Sequence, residues 1–112
     1  MKPTVYISGP ISGYQDLNKE AFQRMEAILI AHGFKVLNPH TFCAHIKSSD
    51  EADPKYYAEG IRQLTKSEDI IFLEGWQYSS GAQVERKVGQ LLKLGIHEDL
   101  ESLINKYSNQ LY

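Results

Sequence analysis

Short apolar runs alternate with longer stretches in which apolar residues return every three or four positions. "TVYIS" (Thr4 to Ser8) is β-branched and aromatic and is closed by Gly9-Pro10, so it predicts a buried first strand. "GPISGYQDLN" is a Gly/Ser/Pro loop, and Asp16 or Asn18 can cap the next helix. From Leu17 to His32, Phe22, Met25, Ala27, Ile28, Leu29 and Ile30 keep helical spacing, with Gly33 where a C-cap is expected. "FKVLNP" (Phe34 to Pro39) predicts a second strand stopped by Pro39. His40 to Asp53 reads as a polar, irregular and mobile loop. Pro54 suits the first turn of a helix running to about Lys66, with Tyr57, Ile61 and Leu64 on one face. "DIIFLEG" (Asp69 to Gly75) is the most apolar run and predicts a third strand. A third helix is expected from near Ser80 to Leu94, with Val84, Val88, Leu91 and Leu92 inward and Gly95 ending it. "GIH" is a brief candidate fourth strand, and the remainder reads as a last amphipathic helix.

This alternation predicts an α/β fold: a three-layer sandwich, with a short parallel sheet of about four strands and helices on both faces. In such sheets ligands bind beyond the C-terminal ends of the strands. The loops "SGPISG", "NPH" and "EGWQYSSGA" come after the first three strands and open onto that one edge. A length of 112 residues reads as one domain, and there is no internal repeat or low-complexity segment.

Composition works mainly by exclusion. The net charge is -2 and the basic residues are scattered, which leaves no electrostatic footprint for duplex nucleic acid or an anionic membrane. No apolar stretch approaches a bilayer span, and "MKPTVYISGP" lacks the apolar region of a signal peptide. Cys43 is the only cysteine, so a cytoplasmic location is the expectation. His40 and His45 have no third ligand near them in sequence, so no metal site or other cofactor is expected.

Candidate chemistry concentrates in "YSSGAQVE". A helix that begins at Ser80 or Gly81 presents unpaired N–H groups and partial positive charge at the sheet edge, suited to a phosphate or carboxylate. Ser79 and Ser80 add hydroxyls, Gly81 admits close approach, and Glu85 lies one turn further on the Gly81 face. The plainer reading is an N-cap serine with a nearby glutamate. Tyr6, near the end of the first strand, can reach a carboxylate projecting from that helix or simply be a half-buried strand tyrosine. Gly9, Pro10 and Gly13 match neither a dinucleotide-binding fingerprint nor a phosphate-binding P-loop. Trp76 can stack on a base or shield the sheet edge.

Together "VYISGP" and "DIIFLEGWQYSSGAQVE" resemble the two signatures of the nucleoside 2-deoxyribosyltransferase-like superfamily. The similarity spans about residues 4 to 96 and is greatest to its group of small bacterial and phage proteins, the domain of unknown function 4406. The resemblance implies that Glu85 is a nucleophile toward the anomeric carbon of a deoxyribose and that Tyr6 orients it. It implies sugar or phosphate contacts from Ser8, Gly9, Pro10, Trp76, Ser79, Ser80 and Gly81. Ser79 stands where related nucleotide N-glycosidases carry a phosphate-contacting serine, which turns the expectation toward a nucleotide. The superfamily's helix aspartate, about 24 residues before the nucleophile, is replaced here by Ile61, and Glu59 is the nearest carboxyl group. The implied partners are a small nucleotide or nucleoside and a second copy of the chain, as a homodimer or higher homo-oligomer. A binding module that holds a nucleotide without cleaving it is the competing expectation.

Overall fold

The structure is a computed structural model and describes residues 2–43 and 54–108. Four strands, β1 (Thr4–Ser8), β2 (Lys35–Leu37), β3 (Asp69–Phe72) and β4 (Gly95–His97), form one parallel sheet in the order β2-β1-β3-β4. The helices are α1 (Lys19–Ala31), α2 (Pro39–Phe42), α3 (Pro54–Leu64), α4 (Ser80–Leu91) and α5 (Leu100–Ser108). From β1 the chain moves one way across the sheet to β2, then back past β1 to β3 and on to β4. Right-handed crossovers therefore send α1 to one face and α3 and α4 to the other.

Side-chain alternation along the central strands divides the core in the same way. Val5, Ile7, Ile71 and Leu73 pack with Phe22 and Leu29 of α1 and Leu103 of α5. Tyr6, Ile70 and Phe72 point the other way and pack with Leu64 of α3 and Val88 of α4. The outcome is a three-layer α/β sandwich with helices on both faces of a parallel sheet. The register pairs Tyr6 with Ile70 and Ser8 with Phe72, so β1 and β3 end side by side.

Several local expectations are corrected. Neither Asp16 nor Asn18 caps α1: Asp16, Leu17 and Asn18 all have positive φ, and the Asn18 amide donates instead to the Pro10 carbonyl (2.9 Å). The first helix consequently starts at Lys19 rather than Leu17. Pro39 does not merely stop β2; it opens α2, whose N-cap Asn38 accepts from the His40 N–H at 3.0 Å. Residues 44–53 of the expected loop, with His45, lie outside the described residues. On α4, Val84, Leu91 and Leu92 are exposed, and the buried residues are Gly81, Ala82 and Gly89. The helix comes closest to the sheet at Gly89, where a Cβ would stand 3.3 Å from Ile96. Ile61 on α3 is also exposed.

Gly95 does not end the third helix. The left-handed residue there is Lys93 (φ 60°), and Gly95 opens β4. It is glycine for a steric reason, because a Cβ would lie 2.1 Å from Asp69 Oδ1. Asp69 is fully buried at the start of β3. Its Oδ1 accepts from Lys106 Nζ (2.7 Å) and His97 Nε2 (2.9 Å), and its Oδ2 accepts from the Tyr107 hydroxyl. With the ring proton on Nε2, His97 Nδ1 is left to accept from Ser102 (2.8 Å). A buried carboxylate is tolerated only when paired and hydrogen-bonded in this way, and the pairing docks α5 onto the sheet.

That network has two measurable outcomes. Asp69→Ala should lower folding stability by about 3 kcal/mol in chemical denaturation, since three partners lose their acceptor together. Burial, the hydrogen bond to Asp69 and the charges of Asp69 and Glu68 push the Tyr107 phenol well above its ordinary range. The folded state thus holds that proton more tightly than the unfolded state. The associated stabilisation is complete below a pH of about 10 and is lost as pH rises past it. Tyr107→Phe should flatten the alkaline limb of a stability–pH profile, leaving the part due to Tyr6.

Candidate active site

Tyr6 and Ser8 lie two residues apart on β1, so both side chains leave the sheet on the α3/α4 face. Both are buried, at 1 % and 0 % exposure. Across from them, α4 is held by its N-cap: Ser79 Oγ accepts from the Ala82 N–H at 3.1 Å. That start places Glu85 on the helix side facing β1. The Tyr6 hydroxyl donates to Glu85 Oε2, and Ser8 Oγ donates to Oε1 at 2.6 Å. Each carboxylate oxygen is therefore gripped by its own strand hydroxyl.

The third wall is α3. A Cβ on Gly60 would stand 3.1 Å from both Glu85 Oε2 and the Tyr6 hydroxyl, so only glycine lets α3 close over the pair without displacing it. Burial, followed by the adjacent Glu85 charge, pushes the Tyr6 phenol up, which keeps it a donor. Burial and the charges of Glu59 and Glu85 likewise push the Cys43 thiol up to about 11. Cys43 is therefore a neutral thiol in the field of two carboxylates rather than a nucleophile. Against Glu85 lies a cavity of about 20 Å³, bordered by Gly9, Ile11, Pro39, Tyr57 and Gly81. It has room for one water molecule.

The sequence-predicted residues fall into two groups. Tyr6, Ser8 and Glu85 form the clamp, and Gly9 and Gly81 border its cavity. Gly9 also faces Leu73, whose Cβ would be 2.8 Å from an added methyl, so part of its freedom of space serves packing. Ser79 is buried and caps α4, whereas Ser80 is exposed. Pro10 is buried and offers its carbonyl to Asn18. Glu59 is half-buried on α3 and accepts from Gln63 Nε2 at 2.8 Å. Trp76 packs on Phe72, with ring centroids 5.0 Å apart, and the Arg86 guanidinium lies over its ring at 4.6 Å. It shields the sheet end and does not border the cavity.

Two contributions escape sequence reasoning. Ser8, expected among ligand contacts, is a carboxylate donor; its two-residue spacing from Tyr6 is the available signal. Gly60 looks like an ordinary helix weakness. A glycine in the middle of α3, where it costs about 1 kcal/mol relative to alanine, is the sign of a close approach.

Among the described residues, no group of three or more His, Cys, Asp or Glu is arranged to hold a metal ion. No described helix is long and apolar enough to cross a membrane. No curated protein matches the chain. A family model does match, over residues 3–98, a span that contains all four strands, α4 and the whole Tyr6–Ser8–Glu85 clamp. On that match, which takes in most of the sequence, the chain belongs to the family described as Domain of unknown function (DUF4406).

Proposed function

We propose that the protein cleaves the N-glycosidic bond of a (deoxy)nucleoside 5′-monophosphate or related nucleotide, with Glu85 as nucleophile. The observation that carries this reading is the clamp: a carboxylate at the C-terminal edge of a parallel sheet, oriented by Tyr6 and Ser8, with a cavity against it. Departure of the base leaves positive charge on the sugar, which a fixed carboxylate stabilises and can trap as a glycosyl ester. An oxygen of Glu85 bonds to the anomeric carbon, the C–N bond breaks, and its electron pair leaves with the base. Water or a second base then releases the sugar and restores the carboxylate. The hydroxyl donors hold the carboxylate in one geometry before substrate arrives, so little reorganisation remains for the reaction itself. Glu59, half-buried on α3 and close enough to act on Cys43, is the candidate proton source for the leaving base.

The anionic end of the nucleotide falls to the first turn of α4. Ser80 is exposed there and Gly81 borders the cavity. The expected second copy of the chain is assigned to the outer sides of α3 and α4, where Ile61, Val84, Leu91 and Leu92 are exposed. Leu91 alone is 82 % exposed.

The second reading is a module that binds a nucleotide without cleaving it. One observation favours it: the position where the resemblance calls for an aspartate is Ile61, which is exposed. Incubation with a panel of deoxynucleoside monophosphates, followed by chromatography for free base, separates the two. Under the enzyme reading the wild type releases base and Glu85→Gln releases none; release unchanged in that variant would sink the nucleophile. Thermal stabilisation by nucleotides without any release of base would establish the module instead.

A finer prediction concerns the clamp. Ser8→Ala should lower kcat about tenfold with KM nearly unchanged, the effect of losing one donor to a charged acceptor. Gly60→Ala should lower kcat further, because the methyl presses on both members of the Tyr6–Glu85 pair. Sedimentation should show a dimer that Leu91→Asp converts to monomer.

A further inference from the structure

Where the loops after β1 and β3 part, a second and larger recess lies on the α1 side of the sheet, away from Glu85. Its volume is about 780 Å³, within the usual range for small-molecule sites. The floor is apolar: Met25 and Ile28 from one stripe of α1, and Leu73 from the end of β3. The rim is aromatic and acidic. Tyr14 is 45 % exposed and Tyr78 89 % exposed, the latter the most exposed large apolar side chain among the described residues. Glu74 is exposed and makes no ion pair with any described residue. The cation that lines the recess, Arg24, is already engaged by Glu20.

The rim is built rather than incidental. Gly75 adopts φ +89°, and an added Cβ would stand 2.7 Å from the Tyr14 hydroxyl. Tyr14 from one loop thus closes directly against the backbone of the other. The charge left over is one carboxylate, flanked by two aromatic rings whose faces carry negative potential. That combination selects positive charge, and the apolar floor selects an uncharged hydrophobic body.

We infer that this recess is a binding site for a small organic cation with an aromatic or apolar body, held by Glu74 and the rings of Tyr14 and Tyr78. The ammonium end sits at the rim and the body on Met25, Ile28 and Leu73. Neither the site nor its test depends on cleavage at Glu85.

The test is titration of the isotope-labelled protein with tyramine and, separately, with 3-(4-hydroxyphenyl)propionate, which has a similar ring and the opposite charge. Tyramine should shift the amide signals of Tyr14, Met25, Ile28, Gly75 and Tyr78 saturably, with Kd below about 1 mM. The propionate should bind at least about tenfold more weakly. Glu74→Gln, an exposed substitution that leaves the fold intact, should weaken tyramine about threefold and leave the propionate unchanged. Gly75→Ala should also weaken tyramine, by displacing Tyr14. Equal or tighter binding of the propionate, tyramine binding indifferent to Glu74→Gln, shifts confined to the surroundings of Tyr6 and Glu85, or no saturable shift up to about 10 mM would each overturn the assignment.

Discussion

A carboxylate taken partly out of water must be given hydrogen-bond donors, and that requirement at Glu85 organises this half of the molecule. The donors are hydroxyls on alternate residues of β1, so the strand's two-residue period sets where they stand. The α4 helix that meets them begins at the Ser79 cap and turns Gly81, Ala82 and Gly89 inward. For α3 to seal the same spot, its residue at the point of contact must be Gly60. Strand, cap and both helix faces are thus tied to one pair of oxygen atoms.

A fully buried carboxylate, Asp69, lies at the opposite end of the sheet. Asp69 is met by the Lys106 ammonium, the His97 ring and the Tyr107 phenol, so its charge is balanced and its oxygens are occupied. A countercharged carboxylate is a structural fastening, and here it fixes α5. At Glu85 the Tyr6 and Ser8 hydroxyls each donate to one carboxylate oxygen.

Much of the architecture is legible in the sequence because strand and helix periods alternate cleanly. Apolar runs such as "TVYIS" and "DIIFL" admit few other readings, and the alternation implies a parallel sheet with its loops on one edge. The meeting of Tyr6 and Glu85 is legible for the same reason, since both lie near that edge. The features that escape are governed by distance rather than by pattern. The inward face of α4 is marked by Gly81, Ala82 and Gly89, and an apolar count directs attention to Val84 and Leu91 instead. The strand order, with β1 between β2 and β3, depends on pairing across the sheet that no local signal encodes. Asp69 opens an apolar strand as if it were a flanking polar residue, and its partners come from 28 to 38 positions further along the chain. Asn18 suits a cap by residue type, but its amide finds the Pro10 carbonyl in a left-handed turn.

The stacking of Arg86 on Trp76 and Phe72 gives the β3–α4 connection an anchor of its own. The Ser79 cap lies downstream and that aromatic anchor upstream, so Gln77 and Tyr78 are bracketed on both sides. Tyr78 projects outward from that segment. A change of side chain at Tyr78 therefore leaves the Ser79 cap, and with it the seat of Glu85, untouched.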